Sequence, residues 1–346
     1  MSLEKLKNST GEKIMVIGGA GFIGSFVSRL LVNLNYNVVV YDAFIQYISP
    51  IETDYNRYLK YRFLNIKNQI KIIRGDTRDT NHLRKTIMEE RPDRIINFAA
   101  LTIVNLSNKY SDETQDSIFN GNSNILEVLR SCDFIKQFVY ISSSMAYGDF
   151  QYTPCSEDHP KNPKSLYGAY KYCGEVMTKL YGDRYGIPYS IVRPSAVYGP
   201  TDLNKRVLQI FTEAALDDRE ITINGNGKSV LDNSYVKDVA DGIVRVLLDE
   251  RAQSETFNIT YGKGYSLNDI VEQLSNILNK KLKVNYKKLE DDFTPERGAL
   301  DISKAKRELG YNPKYSLTDG LSEYISFLKA TSIRGDRFEG MDILDY

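Results

Sequence analysis

The segment SLYGAYKYCGE, Ser165 to Glu175, holds a tyrosine and a lysine four residues apart, Tyr167 and Lys171. On a helix that spacing puts both side chains on one face, one turn apart, a phenol beside an ammonium. The chain has 25 tyrosines, so the pair alone is a frequent coincidence. Its context makes it specific. The run QFVYISSSMAYGDF is an apolar strand ending in Ser142, Ser143 and Ser144, then Met145 and the Tyr147–Gly148 turn. Serines clustered there serve either ordinary turn chemistry or one arm of a catalytic site.

A second stretch points to a nucleotide. IGGAGFIG places Gly18, Gly21 and Gly24 between a strand and an amphipathic helix. Glycines there permit a tight turn and the close approach of a pyrophosphate to unpaired N–H groups at the helix N-terminus. The next strand ends in Asp42, 18 residues past Gly24 (42 − 24), where a carboxylate can accept from a ribose 2′-OH. The same charge repels a 2′-phosphate, so the expected cofactor is NAD rather than NADP. Asp76, in RGDTRD after the third strand, is positioned either to receive the adenine amino group or to cap a turn.

These residues need a scaffold that gathers strand ends. KIMVIG, NVVVYD, IKIIRG, RIINFAA, QFVYIS and YSIVRP are six short, nearly continuous apolar runs. That pattern suits a parallel sheet covered on both faces. Ile23, Val27, Leu30 and Leu34 mark one face of the intervening helix. The fold class is therefore α/β, a doubly wound parallel Rossmann sheet with a smaller C-terminal α+β substrate lobe. After Pro194 the short strands EITING, ETFNIT and KLKVNY and the helices VKDVADGIVRVLLD, SLNDIVEQLSNIL and SKAKRELG are assigned to that lobe. The expected division is a flexible leader over 1–11, a cofactor-binding domain over 12–193, the lobe over 194–330 and a tail over 331–346. The aromatic and basic stretch at 43–69 is expected to be a helical insertion or subunit contact rather than a ligand arm.

Composition excludes several classes. The 45 basic and 45 acidic residues balance, which favours neither nucleic acid nor an anionic membrane. No apolar run reaches the length of a membrane span and no signal peptide is recognised. Cys132, Cys155 and Cys173 form no C-x-x-C pair, and only His82 and His159 are present, so neither a disulfide framework nor a metal site is expected. A reducing cytoplasm is the expected location.

With GGAGFIG, GDTRD, NFAA, SSSMAYGD, SEDHPKNPKSLYGAYK, RPSAVYGP, YVKDVADGI and RGALDISKAKRELGYNPKYSL, the chain resembles the extended short-chain dehydrogenases/reductases from about Lys13 to Leu328. The resemblance is to the nucleotide-sugar epimerases, dehydratases and decarboxylases of that family. It implies that Tyr167 is the base for a sugar hydroxyl, that Lys171 supports the phenolate and the nicotinamide ribose, and that Ser143 bonds the reacting oxygen. A free phenol titrates near 10, so lowering it by roughly 3 units is worth about 4 kcal/mol. By the same resemblance Phe22, Ile23, Thr77 and Ala99 join the cofactor contacts, and Arg297 in PERGALD holds the substrate diphosphate. Dehydratases of the family carry Asp-Glu after the hydroxyl residue, and its decarboxylases keep the glutamate. Ser144 and Met145 stand there instead. Reversible oxidation at C4 is what remains: a nucleotide-sugar 4-epimerase, or alternatively a 4-dehydrogenase or 4-ketosugar reductase. A non-catalytic dinucleotide-sensing regulator is the remote alternative.

Four positions depart from the family pattern: Ile17 before the glycines, Ile118, Ala196 in RPSAVYGP and Leu231 in place of a diphosphate-binding arginine. Asp232, Tyr235 and Asp238 read as structural, Glu157 and His159 as shaping the loop before Tyr167, and Cys173 as helix packing. The family implies a homodimer, or a higher homo-oligomer, built on the helix that carries Tyr167.

Overall fold

A computed structural model describes residues 6–8, 11–47, 54–288 and 294–334. The parallel strands β1 (Lys13–Ile17), β2 (Asn37–Asp42), β3 (Ile70–Arg74), β4 (Arg94–Asn97), β5 (Gln137–Ile141) and β6 (Tyr189–Arg193) alternate with helices. These are α1 (Phe22–Asn33), α2 (Tyr55–Arg62), α3 (Thr80–Glu90), α4 (Val104–Lys109), α5 (Ser111–Thr114), α6 (Gly121–Leu129) and α7 (Leu166–Tyr185). Thereafter come β7 (Val197–Tyr198), α8 (Val207–Leu216), β8 (Ile221–Asn224), β9 (Val230–Asp232), β10 (Ser234–Tyr235), α9 (Val236–Leu248) and β11 (Glu255–Asn258). The chain continues through β12 (Gly264–Ser266), α10 (Leu267–Leu278), β13 (Val284–Lys287), α11 (Ser303–Leu309) and α12 (Leu317–Arg334).

The central sheet has seven parallel strands in the order β11-β6-β5-β4-β1-β2-β3. Ile17 lies beside both Tyr41 of β2 and Asn97 of β4. The strand order reverses at β1, and in such a sheet the crevice for a ligand opens there, at the carboxyl ends of β1 and β4. One face packs on α1 and α9 through Val27, Leu31, Val239 and Ile243; the other carries Leu83, Ile125 and Leu129 from α3 and α6. This two-sided burial leaves every residue of β4, β5 and β6 buried and their centres apolar.

Three expectations change. ETFNIT was assigned to the lobe, but β11 pairs with β6 and completes the sheet. Its residues Thr256, Phe257 and Asn258 are buried, as an interior parallel strand requires. The lobe is built instead from three small pairs, β7 with β10, β9 with β12 and β8 with β13. The insertion packs within its own chain: Tyr58 and Tyr61 meet Phe327 of α12 at 5.5 and 4.9 Å between ring centres. The leader, read as loose, is docked where it is described, because Leu6 is buried and Asn8 N donates to Leu34 O at 2.8 Å. Residues 1–5, 9–10, 48–53, 289–293 and 335–346, including most of the expected tail, lie outside the described residues.

Candidate active site

The crevice is a cleft of about 210 Å³ at the ends of β1, β2 and β4. The strand-to-helix turn forms its floor. Gly18 holds φ +74°, and a Cβ on Gly24 would stand 2.5 Å from Gly18 O, so only glycine fits. No side chain caps α1, and its first turn carries no acid. The N–H groups of Phe22, Ile23 and Gly24 therefore lack intrahelical partners and point at the cleft, which suits an anion. This cradle, with a carboxylate at the end of β2, fits a dinucleotide.

Asp42 lines the cleft as expected. Its carboxylate also has structural work, accepting from Ala20 N at 2.9 Å and Phe44 N at 2.7 Å. Burial pushes its pKa up against those bonds. Thr77 and Ala99 lie on the wall. Asp76 is there too, but Arg78 clamps both of its oxygens, with Nε at 3.0 Å from each and Nη2 at 2.7 Å. That contact holds the Asp76 carboxyl below its ordinary value despite partial burial. Arg78 also reaches Glu113 at 2.7 Å, and Glu113 accepts from Tyr47 at 2.9 Å. The insertion thus contributes walls to the cleft, with Ile45, Tyr47, Tyr55 and Arg62 among them. The insertion, helical over α2, therefore also lines the cleft, and Arg62 reaches under the glycine turn. Arg62 is buried and donates to Ala20 O at 2.8 Å and Thr201 O at 2.7 Å, joining the turn to the start of the lobe.

Tyr167, Lys171 and Ser143 converge where β5 ends. Ser165 caps α7 by accepting from Gly168 N at 3.1 Å, so the helix starts one residue before the phenol. Ser143 caps the short turn Ser144–Ala146, its Oγ accepting from Met145 N at 3.1 Å. The Ser143 hydroxyl lies close enough to the Tyr167 phenol to favour its ionised form. Burial pushes the phenol up, and the positive charge of Arg206 and the nearby Ser143 hydroxyl pull it down. Lys171 is buried, donates to Ile141 O at 2.8 Å and stands 6.0 Å from the Tyr167 ring centre. Burial lowers its pKa to about 7, opposed by the Glu175 carboxylate. Ser142, read as finishing the strand, donates to Glu175 Oε1 at 2.5 Å.

Around the phenol the surface is apolar. Tyr167 packs with Met145 and Ile118, and with Ala100, Val104 and Tyr170 at the edge. Ile118, one of the four departures, and Met145, which carries no carboxylate, are thus parts of one wall. Ala196 adopts φ +34°, and Leu231 lies in β9 opposite Tyr265. Arg297 is partly accessible; its Nε is enclosed and has no partner among the described residues, and burial pushes it down to about 10. Asp232 holds the strand beside it by accepting from Leu300 N at 3.1 Å, Gly262 N at 3.1 Å and Thr260 Oγ1 at 2.9 Å. Asp238 accepts from Lys314 N and Tyr315 N, and His159 is buried with Nε2 accepting from Gln151 N at 2.8 Å. Cys173 was read as packed, but the outward face of α7 leaves it exposed.

Sequence reasoning missed Arg206, Arg62, Arg78 and Glu175. Arg206 lines the cleft and donates to Val197 O at 3.0 Å. It lies far along the chain from Tyr167, and no spacing connects them. Glu175 had a signal, since it continues the Tyr167–Lys171 face at the next i+4 step.

Comparison with known proteins agrees with this geometry. The model of the family described as GDP-mannose 4,6 dehydratase matches residues 15–324. A putative UDP-glucose 4-epimerase of Methanocaldococcus jannaschii is 33% identical over 321 residues, covering 91% of this chain and 98% of that protein. The crystal structure of a UDP-glucuronic acid 4-epimerase from Bacillus cereus, in complex with UDP-glucuronic acid and NAD, superposes with a TM-score of 0.84. It is 29% identical, over 92% of this chain and 99% of that one. A UDP-glucose 4-epimerase from Thermotoga maritima with UDP-glucose gives a TM-score of 0.82 at 28% identity, over 92% and 99% of the two chains. A cleft with a glycine floor, a buried tyrosine–lysine–serine group beside it and a match over most of the length lead to one conclusion: the chain belongs to the GDP-mannose 4,6 dehydratase family of extended short-chain dehydrogenases/reductases.

Proposed function

We propose that this protein is an NAD-dependent nucleotide-sugar 4-epimerase. The observation that carries the proposal is the meeting of the Tyr167 phenol and the Ser143 hydroxyl beside the cleft, against a wall of Met145 and Ile118. NAD, held by the α1 N-terminus and Asp42, supplies the hydride acceptor and a positive nicotinamide when bound. Tyr167 Oη takes the proton of the C4 hydroxyl, and Ser143 Oγ bonds the same oxygen. Arg206 offsets the cost of a buried phenolate through its charge, and the Lys171 ammonium, 6.0 Å from the ring centre, would add to it. On reduction of the 4-keto sugar at the opposite face, Tyr167 Oη would give the proton back to the C4 oxygen. Met145 and Ile118 can move no proton, so elimination across C5 and C6 lacks its acid and base.

Arg297 supports a diphosphate-bearing substrate, since an enclosed guanidinium with an unpaired Nε favours an anion. Residues 12–193 are assigned to the cofactor and 194–330 to the substrate, with β11 lent back to the sheet. On α7, Leu166, Val176 and Leu180 are exposed along the face that also bears Cys173. That apolar stripe supports a homodimer, and three free cysteines with no C-x-x-C pair support a reducing cytoplasm. No described helix is long and apolar enough to cross a membrane. Nucleotide sugars offered singly, followed by NMR at C4 and by absorbance of NADH, test the proposal. Inversion without net NADH supports it. Steady NADH accumulation would instead support the 4-dehydrogenase.

A further inference from the structure

The last three residues of β5 and its extension are each gripped by a successive turn of α7. Ser143 meets Tyr167, Ile141 O accepts from Lys171 Nζ at 2.8 Å, and Ser142 Oγ donates to Glu175 Oε1 at 2.5 Å. Glu175 is buried and itself fixed: Arg193 donates to it through Nε at 2.8 Å and Nη2 at 2.6 Å. Arg193 in turn donates to Tyr147 Oη at 2.8 Å and Glu157 O at 2.9 Å, and Tyr147 Oη donates to Asn258 Oδ1 at 2.7 Å. The carboxylate therefore sits at the root of a rigid buried network that crosses β5, β6 and β11.

We propose that Glu175 is a positioning residue for this site: pinned by Arg193, it fixes the Ser142–Ser143 strand end against α7 and supplies the counter-charge for the buried Lys171 ammonium. The inference rests on the proposed epimerase chemistry. The groups facing Lys171 are the rings of Tyr140 and Tyr167, at 5.4 and 6.0 Å, and the Glu175 carboxylate with its Arg193 partner. Of these, Glu175 is the one whose charge favours the ammonium, against a burial that takes Lys171 down to about 7. A neutral residue there lowers the Lys171 pKa further, so the ammonium is lost at a lower pH.

The test is the pH profile of kcat/KM for Glu175→Gln, Glu175→Asp and Ser142→Ala, each checked for folding by its thermal melt. In Glu175→Gln the alkaline limb moves down by about one pH unit or more. Glu175→Asp keeps the limb near its wild-type position. Ser142→Ala also keeps the limb but lowers kcat about tenfold with KM little changed, as misplacement of Ser143 requires. A folded Glu175→Gln whose activity falls equally at every pH overturns the counter-charge role. If Glu175→Gln does not fold, wild-type kcat in both Ser142→Ala and Glu175→Asp overturns the inference, and a kcat loss at unchanged KM sustains it. Full turnover in Tyr167→Phe would instead overturn the chemistry on which the inference rests.

Discussion

The Lys171 ammonium donates to the Ile141 carbonyl oxygen at 2.8 Å and lies 6.0 Å from the centre of the Tyr167 ring. It thus lies beside the phenol while anchoring the strand that presents Ser143. A charge held this way depends on its surroundings, because burial brings Lys171 to about 7 even with Glu175 opposing it. The proposed base and the groups that tune it are therefore separable by mutation.

Tyr167→Phe removes the proton acceptor and leaves the packing with Met145 and Ile118. Turnover should fall by about a thousandfold or more, with NAD affinity changed less than about twofold. Single-turnover kinetics and cofactor titration measure the two effects.

Arg206→Met removes the charge that draws the Tyr167 phenol down. The phenol then ionises at a higher pH. The acid limb of kcat/KM should move upward while the alkaline limb stays, the reverse of the pattern for Glu175→Gln. An unmoved acid limb would separate Arg206 from the base.

Asp42→Ala should weaken NAD by about tenfold and spare or improve NADP. Because Asp42 also accepts from Ala20 N and Phe44 N, the variant should lose about 1–3 kcal/mol of stability as well. Equal loss of both cofactors in calorimetry would refute the ribose assignment.

Asp232 titrates near 6 in the fold against an ordinary 3.8. The folded state then binds more protons than the unfolded state between those values, so this group lowers stability as pH rises from about 4 to 6. The stability of wild type relative to Asp232→Asn should grow on acidification from pH 7 to 4, measured by urea unfolding. Asparagine can keep its oxygen on Leu300 N and Gly262 N with its NH2 toward Ser234 Oγ, so the comparison reads mainly the titration.

What could be read from the sequence was local or counted along one element. The strands showed because both sheet faces are buried, and Gly18 to Asp42 showed because one turn and one strand fix their spacing. Tyr167 and Lys171 share a helix face, and Ser143 came from the family resemblance, by its count back from Tyr147. Arg206 could not be read, since the lobe folds it back to the phenol across β6 and β7. Arg62 was hidden because its role depends on α2 packing against α12. β11 looked like a lobe strand because nothing in ETFN names β6 as its neighbour. Asp76 showed as a cleft residue, but its clamp by Arg78 depends on a rotamer that no pattern specifies.

The most direct measurement is proton NMR of the purified, NAD-loaded protein with UDP-glucose, UDP-glucuronic acid and other nucleotide sugars, with absorbance at about 340 nm recorded in parallel. The account predicts inversion at C4 of at least one of them, no net NADH, and loss of the signal in Tyr167→Phe. A folded, NAD-loaded protein that inverts none of them, or that inverts one equally well without Tyr167, would contradict it.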